Sequence, residues 1–132
     1  MDTEQEQAFV RAFVHPDRRE RYLQLLTNPK RRDKVLGLMY HALDIISAQP
    51  VASRDNHPEP LERLLRQKGA GGTCYLISPE AELDQREMPL REALDMLITE
   101  DGVAVACCVP GRLAYYKAED EAYILERPAS RG

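Results

Sequence analysis

The residues in this chain best equipped for chemistry are three histidines, three cysteines, a glycine-rich stretch and two clusters of arginine. Tyr40 and His41 stand side by side in a run of helical periodicity, with Asp44 about one turn further on. An imidazole, a phenol and a carboxylate at that spacing could share an acid–base task. Tyr40 and His41 are therefore the candidate pocket of a small enzyme or ligand-binding domain. The competing reading is structural, because only burial and further hydrogen bonds move a histidine pKa to a useful value.

The other candidates are weaker. Cys74, Cys107 and Cys108 with His15, His41 and His57 lack the short ligand spacing of a tetrahedral site, so neither a metal nor a cofactor is expected. Cys107 and Cys108 are adjacent in a strand-like run, where successive side chains point to opposite faces and cannot easily bridge, so reduced, buried thiols are expected. A nucleophilic thiol would need an electropositive setting, and this run is apolar within an acidic half. Gly69-Ala70-Gly71-Gly72 follows a helical pattern and precedes a strand, the reverse of a phosphate loop, and no Lys-Ser/Thr pair follows it. Glu80, Glu82, Asp84 and Glu87 form the densest acidic cluster but lack the alternating ligands and central glycine of a calcium loop.

Positive charge is the anomaly that remains. Arg18, Arg19 and Arg21 fall at the start of a second helical pattern, and Lys30, Arg31 and Arg32 at the start of a third. The helix dipole favours carboxylates there, and like charge costs about 0.3–1 kcal/mol per site at low salt. A compensating anion is expected: an acidic protein partner, a nucleic-acid backbone, or the chain's own acidic half. Residues 11–34 hold eight Lys/Arg against three Asp/Glu, whereas residues 80–126 hold four against twelve. Nucleic acid is disfavoured by the pI near 5.4 and by tyrosines that lie away from the arginines.

The elements that must carry these residues follow from periodicity. Thr3 and Glu6 make a capping box for a helix running to Val14; Asp17 and Glu20 cap a second that ends at Asn28-Pro29. Asn28 and Pro29 open a third and longest helix, with Val35, Leu36, Leu38, Met39, Ala42, Leu43, Ile45 and Ile46 as its apolar stripe, ended by Gln49-Pro50. Residues 50–60, with three prolines and no periodicity, read as a linker between a helical subregion (1–49) and a sheet-bearing one (61–127), with 128–132 as a tail. A short helix from Leu61 to Lys68, a strand from Thr73 to Ser78 and a helix from Pro89 to Thr99 follow. Val103 to Val109 is apolar on both alternating faces, as a central strand should be. Pro110-Gly111 then turns the chain, Leu113 to Lys117 returns, and Ala122 to Glu126 completes an antiparallel meander.

The phrases LLRQKGAGGTCYLIS, LDQREMPLREAL and VPGRLAYY resemble those of small bacterial proteins of unknown function over most of the chain. The resemblance brings no activity with it.

The expected architecture is α+β, a single domain in which three N-terminal helices pack on a mixed, mostly antiparallel sheet of about four strands. The longest apolar run is seven residues, too short to span a membrane, and the acidic start is unlike a secretory leader, so a cytoplasmic location is expected. The first functional expectation is a non-enzymatic interaction or regulatory module whose contact surface is Arg18, Arg19, Arg21, Lys30, Arg31 and Arg32. The second is an enzyme or ligand-binding domain at Tyr40 and His41, and the third nucleic-acid backbone binding. Apolar surface left on Phe9, Phe13 or Tyr116 would instead mark a homodimer.

Overall fold

The apolar run of residues 103–109 becomes the strand about which the layers form. In the computed structural model, which describes residues 3–39, 44–99, 102–118 and 121–127, three helices come first: α1 (Thr3–Phe13), α2 (Arg19–Leu26) and α3 (Arg32–Leu38). Then follow β1 (Ala48–Pro50), α4 (Pro58–Gln67), β2 (Thr73–Ile77), β3 (Glu87–Pro89) and α5 (Leu90–Thr99). The meander β4 (Ala104–Val109), β5 (Leu113–Lys117) and β6 (Ala122–Glu126) ends the described chain, within a residue of its expected boundaries.

These strands form one six-stranded sheet in the order β1-β6-β5-β4-β2-β3, and every pairing is antiparallel. The expected strand count was therefore too low, and the sheet is not mixed. The two missed strands are β1 and β3, each three residues ending in proline, too short to show an alternation. They are the edges of the sheet, where Pro50 and Pro89, lacking N–H donors, discourage another strand from adding.

Strand alternation divides the interior in two. Tyr75, Ile77, Val105, Cys107, Ala114, Tyr116 and Leu125 face α1, α2 and α3. Cys74, Leu76, Ala104, Ala106, Leu113, Tyr115 and Ile124 face α4 and α5. Full burial of large side chains such as Tyr115, Tyr116, Leu61 and Leu94 contributes about 1.5–3 kcal/mol each. At the end of β4 the register slips: Cys107 pairs with Ala114 and Val109 with Leu113, leaving Cys108 as a bulge beside the turn. In that turn the Arg112 N–H donates to the Val109 carbonyl at 3.0 Å, and Gly111 takes φ +69°. Positive φ at the third position is what a type II turn requires.

The third helix departs most from expectation. It has seven residues rather than a run to Gln49, and it starts at Arg32 rather than Pro29. Asn28 does cap, but it caps a turn: its Oδ1 accepts from the Lys30 N–H at 3.1 Å and its carbonyl from the Arg31 N–H at 2.9 Å. Beyond the helix, Ile45 pairs with Val14, the His15 N–H donates to the Asp44 carbonyl at 2.7 Å, and the Ile46 N–H donates to the Phe13 carbonyl at 2.7 Å. The isoleucines at the end of the apparent helical stripe thus belong to a bridge that ties the chain to the end of α1.

Residues 50–60 are likewise not a featureless linker. Pro50 belongs to β1, Ser53–Asp55 form a 3-10 turn, and Pro58 is the first residue of α4. Proline at a helix's first position loses no hydrogen bond, since that N–H has no intrahelical acceptor. At the other end of α4, the Ala70 N–H reaches the Leu65 carbonyl at 3.0 Å and the Gly69 N–H the Arg66 carbonyl at 3.1 Å. With Gly69 at φ +116°, this is a Schellman stop, so the glycines end a helix as their order in the sequence implied.

Candidate functional site

The six basic residues of the N-terminal layer do not form one surface. Arg32 turns inward at the start of α3 and spends all five guanidinium N–H groups inside the protein. Its Nη1 donates to Glu6 Oε1 at 2.7 Å and to the Leu26 carbonyl at 2.9 Å. Its Nη2 donates to Glu6 Oε2 at 2.7 Å and to Asp84 Oδ1 at 3.1 Å, and its Nε to Asp84 Oδ2 at 2.9 Å. Tyr75 adds its hydroxyl to Glu6 Oε2 at 2.7 Å, and the Ser78 N–H donates to Asp84 Oδ1 at 3.1 Å. Two fork-to-fork pairs of this kind are the geometry a guanidinium makes best. Burial alone would lower the Arg32 pKa, but the hydrogen bonds and charges of Glu6 and Asp84 outweigh it and hold the group ionised above its ordinary range.

Glu6 therefore does not serve the capping box expected of it. The signal was present in the spacing. Glu6 precedes Phe9, Val10 and Phe13, and Arg32 precedes Val35, Leu36 and Met39, at the same i, i+3, i+4, i+7 positions. Each charge heads an apolar stripe, where it must be buried and hence paired.

Arg19 and Arg18 are also engaged. Arg19 Nε donates to the Val14 carbonyl at 2.9 Å, closing the end of α1. Arg18 lies 3.6 Å from Asp44, with 45% of its side chain exposed, so that pair is weak and screened. Asp44 also accepts from the Tyr22 hydroxyl at 2.8 Å. Burial first, and then the bond to Asp44, push the Tyr22 phenol well above its ordinary value. Tyr40 and His41 lie outside the described residues.

Arg21, Lys30 and Arg31 remain, and all three are exposed. Lys30 and Arg31 sit on the Asn28 turn between α2 and Arg32, so this turn is braced on one side by the Asn28 cap and on the other by the buried guanidinium. Beside it runs a groove of about 310 Å3 lined by Pro29, Lys30, Asp33, Leu36, Ile77 and Pro79, with Arg32 and Asp84 also in its wall. Exposed cations carried on a braced turn are a favourable setting for a protein ligand, because little loop order has to be imposed on binding.

The remaining candidates are accounted for locally. The three cysteines are buried, and none forms a disulfide. Burial, reinforced by the charge of Glu87, pushes the Cys74 thiol up to about 12, and burial raises Cys108 further. Such thiols are poor nucleophiles near neutral pH. In the acidic cluster, Asp84 serves Arg32 and Glu87 accepts from the Thr73 hydroxyl at 3.1 Å. Among the described residues, no group of three His, Cys, Asp or Glu side chains is placed to hold a metal ion, and no helix is long and apolar enough to cross a membrane. Phe9, Phe13 and Tyr116, where leftover apolar surface would have marked a dimer, are buried in the core on the side of α1 to α3, and the Tyr116 hydroxyl donates to the Met39 carbonyl.

Comparison with protein-family models, with curated proteins and with solved structures finds no match. The functional reading therefore rests on the residues themselves.

Proposed function

We propose that this protein is a non-enzymatic interaction or regulatory module that takes an acidic segment of a protein partner on the exposed cations of its helical layer. The observation that carries the reading is the division of labour within one cluster: Arg32 is consumed by Glu6 and Asp84, while Lys30 and Arg31, next to it, project from the turn it anchors. Arg21 and the weakly held Arg18 lie at the opposite, N-terminal end of α2 and add exposed positive charge to the same helical layer. Exposed cations of this sort steer an acidic partner and set its register more than they add raw affinity.

The contact surface is accordingly Arg18, Arg21, Lys30 and Arg31, with Arg19 and Arg32 in supporting roles. The test follows from that assignment. Lys30→Glu combined with Arg31→Glu should abolish capture of an acidic partner from the native host while leaving the melting temperature unchanged, since both side chains are exposed. Capture should also fall steeply with salt. A charge-reversed protein that still recovers the same partner at the same salt concentration would remove this surface from consideration.

A further inference from the structure

A second concentration of positive charge lies at the opposite end of the strands from the turn that carries Lys30. Where the end of α4 approaches the ends of β4, β5 and β6, a cleft of about 270 Å3 opens. Its polar rim is Lys68, Arg112, Glu126 and Arg127, and its apolar wall is Val109 and Leu113.

Backbone pairing holds the two arginines together. Leu113 pairs with Glu126 at the end of the β5–β6 ladder, and one step beyond it the Arg127 N–H donates to the Arg112 carbonyl at 2.8 Å. Like charges set opposite one another on antiparallel strands repel. Both arginines are exposed, and among the described residues neither guanidinium is hydrogen-bonded or ion-paired. The carboxylate at hand, Glu126, is held by Lys68 at 3.0 Å. Three cations and one carboxylate leave the cleft positive although residues 80–126 are strongly acidic. Gly69, at φ +116° with nothing within 4 Å of where a Cβ would stand, leaves that wall open.

We infer that this cleft binds a small phosphomonoester, with the phosphate taken by Arg112 and Arg127 and the apolar body of the ligand laid against Val109 and Leu113. A phosphate dianion matches the excess of positive charge, and guanidinium forks match its oxygens. The volume lies near the lower end of ligand pockets, roughly 300–1,000 Å3, so the ligand is small. A nucleic-acid strand would need a longer track of cations than this cleft offers.

The experiment is a titration of the 15N-labelled full chain with phenyl phosphate, followed by amide shifts. Saturable shifts should appear at Gly69, Arg112 and Arg127, and phenol, which lacks the phosphate, should not produce them. Arg112→Ala with Arg127→Ala should weaken binding roughly tenfold or more, the loss expected when charge-assisted hydrogen bonds are removed. Arg112→Gln with Arg127→Gln, which keeps most of the aliphatic stem, should show the same loss in a protein with an otherwise unchanged spectrum. Equal shifts with phenol, no saturation at millimolar phenyl phosphate, or undiminished affinity in both double variants would overturn the assignment.

Discussion

Removing the Arg32 guanidinium would leave Glu6 and Asp84 facing each other without a counter-charge, one of them buried on the apolar side of α1. Breaking a buried pair in this way costs about 3–5 kcal/mol, far more than the pair adds over a well-packed apolar replacement. Arg32→Ala should therefore lower the unfolding free energy by roughly that amount, read from a urea transition. Tyr75→Phe, which removes one hydrogen bond to Glu6, should cost only about 1 kcal/mol. Equal effects of the two substitutions would mean that the carboxylates find other partners when Arg32 is absent. The cluster also explains why charge reversal must be made at Lys30 and Arg31 and must spare Arg32. The sequence placed three cations side by side without distinguishing them; only the apolar residues that follow Arg32 at helical spacing mark it as the buried one.

At the scale of elements, legibility followed length and alternation. β4, β5 and β6 were readable because each has five or six residues, one of them apolar on both faces, and because Pro110-Gly111 supplies an unambiguous turn. β1 and β3 were not, since three residues ending in proline carry no period and their place in the sheet is set by partners distant in sequence, Leu125 and Cys74 among them. The third helix was overextended because Ile45 and Ile46 continue an apolar stripe that the backbone does not follow. Nothing local reveals that Val14 will pair with Ile45. Of the candidate site, the basic composition was visible, but its division into buried and exposed members depends on tertiary packing. The glycines differ in the same manner. Gly37 lies in the last turn of α3, exposed, with negative φ and open space where a Cβ would stand, so Gly37→Ala should stabilise by about 0.4–1 kcal/mol. Gly111 has φ +69° and its Cβ would meet Ala8 at 3.6 Å, so Gly111→Ala should destabilise by about 1 kcal/mol or more. Thermal unfolding of both variants checks the pair of signs.

For the molecule as a whole, a sheet covered on both faces removes several weak acids from water in their neutral form. Cys74 and Tyr115 are each pushed up to about 12 by burial, and Cys108 and Tyr22 further still. Unfolded, the thiols would titrate near 8.5 and the phenols near 10. Above those values the unfolded chain has released protons that the folded chain keeps, so stability must fall as pH rises. The stabilisation is complete below about pH 8 and is lost first through the cysteines, then through the tyrosines, at up to about 1.4 kcal/mol per pH unit for each group. Urea midpoints measured under reducing conditions between pH 7 and 11 should show this decline beginning near pH 8.5. Replacing Cys74, Cys107 and Cys108 together by alanine should delay its onset to about pH 10, where Tyr115 and Tyr22 take over, whatever the variant's stability at neutral pH. A decline with the same onset in both proteins would mean that these thiols are already accessible to hydroxide in the folded state, and that the layer formed by α4 and α5 opens far more readily than its packing against β2 and β4 implies.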